Sequence, residues 1–337
     1  MNAKIITALL LVAVLLMGCG GAADNISSTP VPSEITDVSS APSEPASSEP
    51  TPSVPDVDVS ETYGDLLAKM PTRDREVIAM GDLTGEQYGD ALSRLEAALD
   101  GYDRKVSVVA YSLDGRKALG YNTRAKIFCA CAVKAPYTLY CCRQMEKGVA
   151  NLSTKMTYES KHYEPGTGDM QYSPYGTVFD MRTLLGKSMS ISDNVGYLMS
   201  VDYFGRDGYN EWISSLGCDS LQISPTVWSL KTRARELAVA WREIYNYFQK
   251  GGEYAKFLYD SCTGTAGNYS TQSLNVNYSH KQGHNSGGDW KSYTDAGIVW
   301  KEGSPYILVI LTNAPGPSTY DANAFAEIAG IIHNELF

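Results

Sequence analysis

Basic side chains are missing from the beginning of this 337-residue chain: no lysine or arginine stands between Lys4 and Lys69. Up to residue 60 Asp24, Glu34, Asp37, Glu44, Glu49, Asp56 and Asp58 carry seven negative charges. Much of the net charge of −10 therefore lies ahead of residue 61, and the 31 acidic and 27 basic residues that follow nearly cancel. A body so close to neutral has no general basic footprint, which excludes nucleic acid as the main partner. Apolar runs long enough to span a bilayer are also lacking after residue 18, which excludes a polytopic membrane protein. The seven cysteines (Cys19, Cys129, Cys131, Cys141, Cys142, Cys218 and Cys262) include no Cys-x-x-Cys and no paired metal spacing. With the four histidines, His162, His280, His284 and His333, scattered as well, no metal site is expected.

What is present begins with an address. Lys4, an apolar run from Ile5 to Met17, and then Leu16-Met17-Gly18-Cys19 make the charged, apolar and small-residue regions of an export signal. The end of this segment resembles the bacterial lipoprotein cleavage box, which implies removal of residues 1–18 and lipidation of Cys19. Several acyl chains on one residue anchor stably where one does not. Residues 20–60 hold seven prolines, many serines and almost no large apolar side chains. Such a segment buries too little surface to offset its ordering entropy, so it is expected to be a disordered acidic tether. The expected organisation is a signal over 1–18, an anchor and tether over 19–60, and one folded domain over 61–337 in an extracytoplasmic setting.

Within that domain, hydrophobic periodicity predicts a mixed α/β (α+β) chain. A helix is expected over 92–99, a strand over 105–111, and its hairpin partner over 119–121 across Asp114-Gly115. Helices follow over 131–147, 181–190, 195–204 and 232–249; strands return over 276–281, 295–300 and 306–312, before a final helix over 321–336. Strands at both ends with helices between predict one antiparallel sheet assembled from both ends of the domain, with helices on its faces and a mostly helical lobe beside it.

Three short motifs stand in order on this frame. Cys131-Ala132-Val133-Lys134 opens the first middle helix, Ser192-Asp193-Asn194 lies between two helices, and Lys281-Gln282-Gly283 ends a predicted strand. A residue at a helix start meets unpaired N–H groups and the positive end of the helix dipole, which favour a thiolate or an oxyanion. The i, i+3 spacing sets the Lys134 amine on the face of Cys131. A serine in that place would need a base, whereas a thiol ionises unaided near ~8.5, lower beside a cation. A Cys131 thiolate paired with a Lys134 ammonium is the expected resting state. The blander reading makes Cys131 a small buried residue, as free cysteines often are, and makes Ser192-Asp193-Asn194 a helix cap.

In their order and surroundings the three motifs resemble those of the class A β-lactamase and penicillin-binding acyltransferase family, whose signature is S-x-x-K, S-D-N and K-T-G. The likeness extends over about residues 88–337 and implies the β-lactamase-like fold. It also implies roles: Cys131 as nucleophile, Lys134 as base or ion-pair partner, and Ser192 as proton relay to the leaving amine. Asn194 would hold the substrate amide, Lys281 with Gln282 would face the substrate carboxylate, and Gly283 would let the substrate approach the strand. The backbone N–H groups of Cys131 and His284 would form the oxyanion hole. The resemblance implies an acyl-enzyme hydrolase or transferase acting on a small-molecule or peptide substrate, a β-lactam or a peptidoglycan stem peptide, with no metal or organic cofactor.

Three departures qualify this. Cys131 replaces serine, Gln282 replaces the hydroxyl residue of the third motif, and no glutamate occurs between Glu211 and Glu236, where the family carries the residue that activates the deacylating water. Weak β-lactam hydrolysis is the expected consequence. The alternative is a non-catalytic surface lipoprotein that binds peptidoglycan peptides or β-lactams.

Overall fold

Seven consecutive residues, Tyr306–Thr312, are all buried, and they divide by parity. Ile307, Val309 and Leu311 enter one apolar core, while Tyr306, Leu308 and Ile310 enter another. Because successive strand side chains point to opposite faces, a strand covered on both sides reads as an unbroken apolar run. This strand is the centre of the molecule. The computed structural model describes residues 64–224 and 230–337. The expected signal segment, the lipidated Cys19 and the tether lie outside the described residues.

In chain order the elements are α1 (Leu66–Lys69), β1 (Val77–Gly81), α2 (Gly89–Gly101), β2 (Val106–Ser112), β3 (Lys117–Tyr121), β4 (Ile127–Phe128), α3 (Lys134–Glu146), β5 (Lys155–Thr157), β6 (Val178–Asp180), α4 (Met181–Ser190), α5 (Asn194–Phe204), α6 (Asp207–Ser215), β7 (Lys231–Thr232), α7 (Ala234–Lys250), α8 (Glu253–Thr263), β8 (Asn277–Asn285), β9 (Ser292–Trp300), β10 (Tyr306–Thr312) and α9 (Thr319–Ile331). Six strands form one antiparallel sheet in the order β1-β3-β2-β10-β9-β8. The early and late strands meet where Val109 of β2 lies opposite Val309 of β10. The sheet is thus assembled from both ends of the domain, as its sequence pattern predicts.

One face is covered by α2 and α9, whose Leu95, Leu99, Phe325 and Ile328 pack with Val108 and Leu308. The other is covered by α7, which buries Leu237, Trp241, Ile244 and Phe248 against the side of Val109 and Ile307. Beyond that face lies the helical lobe around α3. This helix is buried on nearly every side, so it lacks the polar stripe of a surface helix. Its Tyr137 packs among Tyr140, Tyr197 and Tyr209.

Two boundaries differ from the sequence reading where the motifs sit. Lys281-Gln282-Gly283 does not end its strand: β8 continues to Asn285 because β9 begins early, at Ser292, and pairs residue for residue across His284↔Tyr293 and Asn285↔Ser292. Backbone pairing to a long neighbour carries this polar stretch, which apolar alternation cannot reveal. The helix expected from Cys131 begins instead as a 3₁₀ turn over Ala130–Val133, with Lys134 as the first residue of α3. Strand β1 and helices α6 and α8 complete the fold without having been expected.

Candidate active site

The 3₁₀ turn does more for the first motif than an ordinary helix start. With three residues per turn, i and i+3 eclipse, so Lys134 stands in line with Cys131. The Lys134 backbone N–H donates to the Cys131 carbonyl, closing the turn. Ala130, just before the cysteine, is held at φ 45°, and Ser192 of the second motif at φ 60°. Left-handed backbone costs a non-glycine residue about 1–2 kcal/mol, and such strain collects at functional sites.

Lys134 is fully buried, and its Nζ is the hub of the site. It donates to the Ser192 carbonyl at 2.6 Å, the Asn194 Oδ1 at 2.9 Å, the Asp193 carbonyl at 3.2 Å and the Ser192 Oγ at 3.4 Å. Asp193 caps α5, accepting from the Gly196 N–H at 2.9 Å through one carboxylate oxygen. Its other oxygen accepts from the Met170 N–H at 2.9 Å. The capping role and the placement of Ser192 and Asn194 therefore coexist.

That second bond ties down the loop 164–168, which sequence reasoning did not single out. Thr167 Oγ1 donates to the Ser192 carbonyl at 2.6 Å, and Asn194 Nδ2 donates to the Pro165 carbonyl at 3.2 Å. Gly168, at φ 93°, lies so close to Asp193 that a Cβ there would fall 2.0 Å from its Oδ2. The run Pro165-Gly166-Thr167-Gly168 was the available signal: two glycines and a proline around one hydroxyl mark a loop built for close approach.

The opposite wall is β8. A Cβ on Gly283 would stand 2.4 Å from the Cys129 carbonyl oxygen and 2.9 Å from the Cys131 backbone nitrogen. Gly283 thus lets the cysteine turn itself approach the strand. Lys281 lies fully buried, its Nζ donating to Gln282 Oε1 at 2.8 Å and to the Gln282 carbonyl at 2.9 Å. Gln282 therefore spends its side chain on Lys281, beside Gly267, instead of facing the cavity. His284 is exposed, with Nε2 3.3 Å from the Pro315 carbonyl.

Between the walls is a cavity of about 310 Å³, lined by Cys131, Glu164, Thr167, Asn194 and His284 among others. Burial pushes the Cys131 thiol up, but the charges of Lys134 and Lys281 and hydrogen bonds from the Ser192 and Lys134 side chains outweigh it and hold the thiol below its ordinary value. Burial also lowers Lys134, against the opposing pull of Cys131 and Asp193. Lys281 is lowered by burial to about 7, Cys131 pulling it up and Lys134 pushing it down. The other described cysteines are buried, and burial raises every one of them, Cys129 and Cys218 to about 12. Cys131 alone among them is partly exposed and shifted toward thiolate.

The structure thus gathers Cys131, Lys134, Ser192, Asn194, Gly283 and His284 around one cavity, with Lys281 and Gln282 behind its wall. Of the other histidines, His162 accepts from the Glu159 N–H and meets Asp202, His280 pairs with buried Asp295 at 2.9 Å, and His333 meets the Tyr306 hydroxyl. Among the described residues no group of three His, Cys, Asp or Glu is arranged to hold a metal ion.

A family model described as the beta-lactamase enzyme family matches residues 90–336. No curated protein matches this sequence. Several solved structures share the fold: PBP-A, at 16% identity and a TM-score of 0.64, covers 72% of this chain and 94% of its own. The TLA-1 extended-spectrum β-lactamase, at 17% identity and a TM-score of 0.66, covers 74% and 99%. A β-lactamase from Chitinophaga pinensis, at 19% identity and a TM-score of 0.64, covers 72% and 98%.

Proposed function

The chain belongs to the beta-lactamase enzyme family, and on that premise we propose that it is an acyl-enzyme hydrolase or transferase with Cys131 as its nucleophile. The observation that carries the proposal is the contrast among the cysteines. Among the described cysteines Cys131 is the one that lines this cavity, beside Lys134 and Ser192, with its thiol held low.

In the proposed reaction the Cys131 thiolate attacks the carbonyl carbon of an amide or β-lactam. The backbone N–H groups of Cys131 and His284, brought together by the close approach at Gly283, receive the oxyanion. Lys134 passes a proton through the Ser192 hydroxyl to the departing amine, the C–N bond breaks, and a thioester remains. Asn194 orients the substrate amide while its Oδ1 holds Lys134. A PBP-A variant has been solved as an acyl-enzyme complex with penicillin G, which supports a covalent intermediate for this fold. We place the domain outside the cytoplasm, on a lipidated Cys19 and an acidic tether, near peptidoglycan peptides.

One observation favours a second reading. Gln282 occupies the Lys281 ammonium that would otherwise meet a substrate carboxylate, as in a protein that binds cell-wall peptides or β-lactams without turning them over. Incubation with a fluorescent penicillin and a D-Ala-D-Ala thioester, read by intact mass, separates the two. The catalytic reading expects an adduct that disappears in Cys131→Ala. Labelling that persists in that variant refutes it.

A further inference from the structure

The family's deacylating glutamate has no counterpart between Glu211 and Glu236. Glu236 itself is committed elsewhere. Its carboxylate accepts from the Ser220 N–H at 2.7 Å, the Ser220 hydroxyl at 2.6 Å and Arg233 at 2.8 Å, pinning the connection between α6 and α7. The cavity nonetheless holds one carboxylate. Glu164 lines it together with Cys131 and Asn194 and is half-buried, and among the described residues its carboxylate is drawn on by the charge of Lys134.

We propose that Glu164 is the general base that releases the acyl group from Cys131, supplied by a different segment of the chain from the missing loop. The inference rests on the acyl-enzyme reading above. Its position is set one residue away, where Asn194 Nδ2 holds the Pro165 carbonyl, and the glycines that follow seat the loop directly on Asp193 and Asn194. A carboxylate on a loop fixed by its neighbours' bonds, lining the same cavity as Cys131, is placed to meet a water molecule there.

In the step, Glu164 takes a proton from water as the water oxygen bonds to the thioester carbon. The tetrahedral oxyanion then collapses, the C–S bond breaks, and the electron pair leaves on the Cys131 sulfur as thiolate beside Lys134. Among the described residues Lys134 acts on this carboxylate through its charge, and Cys131 and His284 line the same cavity. Burial raises the Glu164 carboxyl above its ordinary value, only partly offset by Lys134, and that direction strengthens a carboxylate as a base. His284 is the rival, and its Nε2 is directed to the Pro315 carbonyl.

The test compares the full chain with Glu164→Gln and His284→Asn, following adduct formation and adduct release separately by intact mass with penicillin and the D-Ala-D-Ala thioester. Glu164→Gln is expected to form the adduct within about 3-fold of the parent rate and to release it about 100-fold more slowly or worse. The parent's release should fall on acidification while that of Glu164→Gln stays flat. Release equal in the parent and Glu164→Gln, or abolished only in His284→Asn, overturns the inference and leaves the acyl-enzyme intact. Absence of any adduct on the parent overturns both.

Discussion

The Cys131 backbone nitrogen and Gly283 are in direct contact across the cavity wall, so close that a methyl group on the glycine would sit 2.9 Å from that nitrogen. No true Cβ tolerates this distance, or the 2.4 Å to the Cys129 carbonyl, so Gly283→Ala must push β8 away from the turn. Adduct formation is expected to fall about 100-fold, the effect of losing one oxyanion-hole donor, with His284 and Cys131 no longer converging. An unchanged acylation rate in stopped-flow measurements would show that the two amides do not act together.

Cys131 should react as a thiolate at lower pH than an ordinary cysteine. Lys134 and Lys281 hold its pKa down, so the rate of iodoacetamide alkylation should rise with pH and level off below ~8.5. Removing the nearer charge with Lys134→Met should move the plateau to higher pH. A midpoint that does not move would assign the shift to Lys281 and the Ser192 hydrogen bond instead.

Gln282 engages the Lys281 amine through its side chain and its carbonyl. Gln282→Thr removes the Oε1 acceptor at 2.8 Å, keeps the bond of Lys281 to the residue-282 carbonyl, and releases one donor for a carboxylate. Charge-assisted hydrogen bonds contribute about 1.5–3 kcal/mol, so kcat/KM for substrates ending in a free carboxylate, relative to their amides, is expected to rise by about 10-fold or more. No change in that ratio would mean that substrate carboxylates do not reach Lys281.

Asp193 joins two elements through two backbone N–H bonds. Asp193→Ala leaves both donors unpaired in the interior, at about 1–3 kcal/mol each, and frees the loop at 164–168. Chemical denaturation should show the loss in stability, with increased protease cleavage near Gly166. Intact stability would place the loop's anchorage elsewhere.

The sheet centre offers a control remote from the site. Leu308 is fully buried among Val108, Phe325 and Ile328, and Leu308→Ala should cost about 2–5 kcal/mol in urea unfolding. The midpoint of Cys131 alkylation should stay where it was.

Much of this was readable along the chain because it depends on near neighbours. Hydrophobic periodicity located β10 and the buried stripe of α7, the apolar strands at both ends pointed to one antiparallel sheet, and the i, i+3 spacing placed Lys134 beside Cys131. The edge strand β1 was not legible, since only Ile78 of its five residues is buried. Nor was the far half of β8, where polar residues are held by pairing to β9.

The order of the three motifs, and the family that order resembles, belong to the sequence alone, because each motif spans at most one helical turn or a few strand residues. Which groups meet across elements was decided only by packing. Gly283 against Cys131, Gln282 folded onto Lys281, Glu236 spent on Ser220, and Glu164 brought to the cavity of Cys131 all depend on distances between segments far apart in the chain. Such distances follow from how the helical lobe settles on the edge of the sheet, and no local pattern of residues encodes them.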